Sequence, residues 1–300
     1  MFIRLALHLF ISLLFLTSCR KIVEIDLPAI EMKPVVNCLF PPDTPFKVHV
    51  SLPKSTTDTT TYNVANAEVT ISGEGSLEAR LAHVGGGVYT NSNLIPAKGI
   101  SYILKVGVPG YPELSAIGSI PSINPRIIGY TTLSHTGYDE EGGIPFSEIR
   151  ILIKDPDGEN YYGLEDLYGE NTLPVDTTDN GVILWAYGIF SNDPVVLNEG
   201  INIYYPEFLV FSDEFFQGEE YCLSVNFYSP PEKFILFNYS ETAFKYVKSW
   251  IIHDYTKEYD FWEVYEPLPM FTNIENGYGI FAGFSEQLFE IYPDSTITFE

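Results

Sequence analysis

The chain has 300 residues, with 16 Lys and Arg against 40 Asp and Glu, for a formal net charge of −24. So acidic a molecule is unsuited to the phosphate backbone of nucleic acids, whose binding rests on clustered Lys and Arg. A hydrophobic content of 45%, with 21 Tyr and 21 Phe, excludes disorder for want of a core.

The run from Phe2 to Leu16 is almost wholly apolar, carries Arg4 near its start and ends in Leu16-Thr17-Ser18-Cys19. A basic start, an apolar stretch and small residues before a cut are the marks of a secretory signal. The run is shorter than the ~20 apolar residues a membrane-spanning helix needs. Leu-Thr-Ser-Cys resembles the lipobox of bacterial lipoproteins. The resemblance implies that residues 1–18 are a signal peptide and that the thiol of Cys19 is lipidated. Two or three acyl chains anchor stably where one does not, each buried methylene contributing about 0.8 kcal/mol. Residue 20 is Arg rather than the Asp that holds many lipoproteins at the inner membrane, which points to the outer membrane. The reading leaves open whether the protein faces the periplasm or the cell surface. Anionic headgroups repel so acidic a body within a Debye length of about 8 Å. Residues 19–32 are therefore expected to be a lipidated tether, with the folded body standing off the membrane.

From residue 33 the signal of β-strands dominates. "KPVVNCLF", "PFKVHVSL", "NAEVTISG", "GGVYTNS", "ISYILKVGV" and "LSAIGSIP" are short β-branched or aromatic runs separated by Pro, Gly, Asn and Asp. In "FKVHVSL", Phe46, Val48, Val50 and Leu52 fall on one face and Lys47, His49 and Ser51 on the other, the period of a half-buried strand. This spacing predicts an immunoglobulin-like β-sandwich over 33–121. The three glycines at 85–87 read as a hairpin turn; a phosphate-cradling loop would be followed by a helix pattern and a Lys-Ser or Lys-Thr pair.

Pro121 and Pro125 bracket an extended connector into a second β-rich domain over 122–300. Two strands are expected around Asp155-Pro156-Asp157-Gly158. Asp155, Asp157 and Glu159 offer oxygen ligands for Ca²⁺, but the EF-hand pattern asks for Gly at the place of Asn160 and Glu at the place of Asp166, so a tight turn is preferred. Further strands are read in "GVILWAYGIF", "INIYYPEFLVF" and "EEYCLSVNFY". The period then changes. Ala243, Phe244, Val247, Trp250 and Ile251 recur at three and four, predicting one amphipathic helix over 241–255 with Ser240 as its N-cap. "MFTNIENGYGIFAGF" reads as a turn entering a strand, and "STITFE" as a last strand.

Together the lipobox, "EIDLP", "NAEVTISG", "GGGVYTNSNLIPAKGISYILKVGVPGYPELSAIGSIP", "DPDGENYYGL", "FSDEFFQGEEYCLSVNFY" and "NIENGYGIFAGF" resemble the domain-of-unknown-function 4249 family of Gram-negative envelope lipoproteins. The last segment is the most specific. The resemblance covers nearly the whole chain after the signal. It implies an outer-membrane lipoprotein commonly encoded beside TonB-dependent receptors, and it carries no catalytic residues. Family members often have an acidic residue after the lipid cysteine, where this chain has Arg20 and Lys21.

No His-Glu-x-x-His, Gly-x-Ser-x-Gly, Cys-x-x-Cys or P-loop occurs, so no catalytic, cofactor-binding or metal residue is assigned. An oxidising envelope would allow a bridge between Cys38 and Cys222, but their separation along the chain favours two buried free thiols. In so acidic a chain the runs Asp139-Glu140-Glu141, Asp213-Glu214 and Glu219-Glu220 are indistinguishable in sequence from solvated faces, which leaves a glycosidase-like carboxylate pair open. The expected function is that of a non-catalytic accessory or binding module, anchored in the membrane by its lipid and partnered by a TonB-dependent receptor. The alternatives are an independent ligand- or glycan-binding lipoprotein and a structural or adhesive surface protein.

Overall fold

Why the strands form, and how they are ordered, follows from where alternating side chains find cover. The computed structural model describes residues 32–53, 62–75, 78–138, 143, 145–167, 188–201, 208–228, 231–256, 268–292 and 295–298. Residues 33–300 make one compact unit. Cys19 and the tether lie outside the described residues.

The fold is mostly β and open, like a sandwich. Its first seven strands are β1 (Val35–Phe40), β2 (Lys47–Ser51), β3 (Glu68–Gly73), β4 (Ala79–Gly85), β5 (Val88–Thr90), β6 (Ser101–Gly107) and β7 (Leu114–Ser119). They run in the spatial order β1-β2-β5-β4-β3-β6-β7. The alternation read in β2 is seen directly: Phe46, Val48 and Val50 are fully buried. They join Val36, Cys38 and Phe40 of β1, Val69 and Ile71 of β3, and Leu104 and Val106 of β6 in one core. The expected turn at the three glycines is the β4–β5 hairpin. Gly86 and Gly87 both have positive φ, 56° and 75°, as the two-residue turn that matches strand twist requires.

The second half contributes β8 (Arg126–Tyr138), β9 (Pro145–Lys154), β10 (Tyr161–Leu167), β11 (Ile189–Phe190), helix α1 (Pro194–Leu197), β12 (Phe208–Ser212), β13 (Glu220–Phe227), β14 (Lys233–Tyr239), helix α2 (Glu241–Tyr255), β15 (Tyr278–Glu290) and β16 (Thr296–Thr298). Five of these strands form a sheet in the order β11-β13-β9-β8-β16, while β12-β10-β14-β15 continue the sheet of the first half, β15 lying parallel to β1. The two strands flanking Asp155–Gly158 do not pair with each other. β9 joins β8 and β13, and β10 joins β12 and β14, so this turn carries the chain from one layer to the other.

Between the layers lies a second core, with Ile149, Ile151 and Ile153 of β9 and Leu223 and Val225 of β13 facing Tyr162, Leu164, Phe211, Phe234, Leu236 and Phe289. The opposite face of β10, β12, β14 and β15 is covered by α2. Ser240 caps that helix, its hydroxyl accepting from Ala243 N at 3.3 Å. Ala243, Phe244 and Ile251 form a third core with Val210, Tyr239, Ile280 and Ala282, with Val247 and Trp250 packed against it. The aromatic stripe of the helix is therefore core. Trp185 and Trp262 lie outside the described residues.

β15 serves both halves. Its first part completes the first core through Phe281, whose ring centroid is 4.9 Å from that of Phe40. β7 folds back onto it so closely that a Cβ at Gly118 would lie 2.6 Å from the Phe281 carbonyl oxygen, and one at Gly283 would lie 2.5 Å from that of Ser119. Asn273 bridges the seam, its Nδ2 donating to the carbonyls of Ile117 (3.1 Å) and Phe281 (2.8 Å).

Candidate functional site

Of the residues read as chemically notable, the histidines stay apart. His49 meets Asn63 at 3.0 Å, the ring of His83 accepts from Gly87 N at 3.3 Å, and His253 contacts the Leu268 carbonyl at 2.7 Å. Both Cys38 and Cys222 are free, but only Cys38 is buried. Cys222 points outward from β13 because the register places Leu223 and Val225 on the inner face, which corrects the expectation of two buried thiols. Burial pushes the Cys38 thiol up to about 12. Among the described residues no three His, Cys, Asp or Glu side chains are grouped to hold a metal ion.

The acidic pairs divide in a way their spacing does not reveal. Glu219 and Glu220 are exposed, and Asp139-Glu140-Glu141 lies outside the described residues. Asp213, by contrast, is buried and organises the crossover turn. Its Oδ2 accepts from the backbone N of Asn160 at 2.9 Å and from Asn160 Nδ2 at 3.0 Å, while that same amide donates to the carbonyls of Pro156 and Gly158. Beside it, Asp155 accepts from the Tyr162 hydroxyl and, at 2.7 Å, from Gly218 N. Burial raises the Asp155 carboxyl to about 6. The donors Tyr162 and Gly218 oppose the shift, and the neighbouring Asp213 carboxylate adds to it. Burial and the Asp155 carboxylate raise the Tyr162 phenol as well. Glu159, Tyr161, Ser212, Asp213, Glu214 and Gln217 line a small acidic cleft above this network. The chain bends at Asp157 and Gly158, and Asp155 is spent on holding the two layers together.

A larger cleft, of about 500 Å³, opens where β8 and β16 of one layer face the end of β15 in the other. Its walls are mainly apolar and aromatic, from Ile127, Tyr130, Phe289, Tyr292 and Ile297. Two charges reach it. Glu290 is engaged, with Lys233 Nζ at 3.8 Å and the Tyr292 hydroxyl at 2.8 Å. The guanidinium of Arg126 meets no carboxylate among the described residues. A cleft of this size, apolar with a few polar groups, is the usual form of a binding site, and sequence reading did not find it. Its residues are spread over 126–130 and 287–297, and only the closure of the two layers brings them together.

The family model described as Domain of unknown function (DUF4249) matches residues 20–288. A comparison with curated proteins finds no match.

Proposed function

Because the chain belongs to the DUF4249 family, its family model spanning residues 20–288, we propose that it is an outer-membrane lipoprotein held by lipid at Cys19. Its β body is a non-catalytic accessory module that docks on a TonB-dependent receptor. The observation that carries this reading is the signal run ending in Leu16-Thr17-Ser18-Cys19 ahead of a compact unit that starts at Lys33. An acyl anchor on a short leash confines a folded body to the membrane plane, where even modest affinity for a neighbouring receptor suffices, since tethering raises the effective concentration. The acidic character of the chain supports the same picture, keeping the body off anionic headgroups and free to turn toward a protein partner.

The test is a mild-detergent pull-down of tagged protein from its native outer membrane, with Cys19→Ala as control, read by mass spectrometry. A receptor recovered in stoichiometric amount with the native chain and lost with Cys19→Ala is the expected result. Recovery of the protein alone in both would refute the receptor reading.

A further inference from the structure

Along the large cleft, alternate backbone amides of β15 have no hydrogen-bond partner among the described residues. Pairing with β1 ends at Phe40 and Gly283, and beyond that point β15 has only β14 beside it among the described residues. The register tells which amides are spare. Ile291 N donates to the Glu232 carbonyl at 2.9 Å and Ser240 N to the Gly283 carbonyl at 3.1 Å, so in this antiparallel pair the odd-numbered residues of β15 exchange hydrogen bonds with β14. Glu286, Leu288 and Glu290 then turn their N–H and C=O groups toward the open side. The connector reaches this edge only at its start, where Ser285 Oγ donates to Asn124 Oδ1 at 2.7 Å. Gln287, Leu288, Phe289 and Glu290 all line the cleft although successive residues face opposite sides of a sheet, which means that the cleft runs along the strand's edge.

We propose that this edge binds an extended segment of a partner protein, which adds as a further strand along Glu286–Glu290. Its alternate apolar side chains enter the cleft against Ile127, Tyr130 and Phe289, and a carboxylate of the segment meets Arg126. Main-chain hydrogen bonds supply affinity in this mode of recognition, and the pockets for alternate side chains supply selectivity. Leu288, 55% exposed, gives the added strand apolar cover on its other face. Arg126, which meets no carboxylate among the described residues, sets the charge of the partner at that point, whereas the carboxylate of Glu290 is held by Lys233 and the Tyr292 hydroxyl. Natural sheets blunt an open edge with charge, as Glu286 and Glu290 do here, and these two also disfavour pairing between copies of this chain through like-charge repulsion. The inference deepens the accessory reading by naming a docking surface, but it requires only that the partner present an extended chain.

Hydrogen exchange, read residue by residue on the Cys19→Ala chain, tests it. The probe is a synthetic peptide of alternating valine and threonine carrying one aspartate. In the free protein the amides of Glu286, Leu288 and Glu290 should exchange fast while those of Gln287 and Phe289 exchange slowly. The peptide should slow the fast set by about tenfold or more. Leu288→Pro removes an outward N–H that the fold does not use, which an edge strand tolerates, and should weaken peptide binding about tenfold. Arg126→Ala should weaken the aspartate peptide and leave an all-neutral analogue unchanged. Slow exchange at all three amides in the free protein, or peptide binding indifferent to Leu288→Pro, would overturn the proposal. The pull-down separates it from the receptor reading. A receptor that co-purifies equally with Leu288→Pro keeps that reading and sinks this surface, whereas protection by peptide with no receptor recovered keeps the surface and sinks the receptor.

Discussion

Asn273 and Phe281 hold each other at both ends of one side chain: Phe281 N donates to Asn273 Oδ1 at 2.9 Å, and Asn273 Nδ2 returns a bond to the Phe281 carbonyl at 2.8 Å. The same Nδ2 reaches the Ile117 carbonyl on β7, and two residues on, Glu275 N donates to the Ser115 carbonyl at 2.8 Å. An amide is the side chain that can both accept from one backbone N–H and donate to two carbonyls. Asn273→Asp should therefore lose both donations and set a negative charge against two carbonyl oxygens. The expected loss is about 1–3 kcal/mol, the cost of leaving the part-buried Phe281 carbonyl unsatisfied, since water can reach the exposed Ile117 carbonyl. Urea unfolding would measure it, and a loss below about 1 kcal/mol would mean that water replaces the amide at the seam.

Two glycines with positive φ should behave differently when a methyl group is added. Gly279 has φ 104°, and a Cβ there would overlap the Val36 carbonyl oxygen across the parallel β1–β15 pair. Gly110 has φ 87°, but its Cβ would meet nothing within 4 Å. Gly110→Ala should cost about 1–2 kcal/mol of backbone strain, whereas Gly279→Ala adds a steric conflict at the centre of the sheet. Soluble yield and thermal melting of the two variants side by side would show this ordering or refute it.

Acidity should tighten the crossover turn. The Asp155 carboxyl is raised to about 6 in the folded protein from an ordinary value of 3.8, so the folded state binds its proton more tightly than the unfolded chain does. The stability linked to this group is fully present below about 3.8 and is lost as pH rises through about 6. Glu148 has the opposite sign. Burial works against it, but hydrogen bonds from Arg150 and Ser224 bring its carboxyl below 4.5, so its contribution is lost only at pH values lower still. Between pH 7 and pH 5 the Asp155 effect should dominate, and the Tm difference between the native chain and Asp155→Asn should shift in favour of the native chain on acidification. A difference that does not change with pH would dismiss Asp155 as the responsible group.

Thiol labelling should separate the two strand cysteines. In a Cys19→Ala chain under native conditions, iodoacetamide should modify Cys222, which lies at the surface, while Cys38 should react only after unfolding because it is 2% exposed and its thiol is held near 12. Mass spectrometry of the digested protein would report both sites, and native labelling of Cys38 would show that the first core opens more readily than its packing implies.

Truncation at the helix should expose the third core. Phe244 is 5% exposed, with its ring centroid 5.0 Å from that of Tyr161. Phe244→Ala should cost about 3–5 kcal/mol, typical of a buried aromatic side chain. Lys245→Ala, which removes only the exposed pair with Glu241 on the same helix, should cost less than about 0.5 kcal/mol.

The chain's local patterns sufficed wherever an element has one buried and one solvated face. β2 and α2 are such elements, and their periods of two and of three to four are legible in Phe46–Leu52 and in Ala243–Ile251. β14 was not legible, because "KFILFNY" packs Phe234 and Leu236 into one core and lies with Phe237 and Tyr239 against another. A strand covered on both sides shows no alternation. β4 escaped for the opposite reason, with Leu81 its only buried residue, and the long β8 is broken in period by register shifts between Ile127 and Gly129 and between Leu133 and Gly137. The "NIENGYGIFAGF" run was distinctive in sequence, but its work as the seam between β7 and β15 depends on partners near residue 117, far away along the chain. Asp155, Asn160 and Asp213 likewise become one network only when two layers stack, and the edge cleft exists only because β1 ends at Phe40 while β15 continues. Composition and period are short-range properties that one segment carries by itself. Closure, edges and buried carboxylate pairs are relations between segments, and the stacking of the sheets decides them.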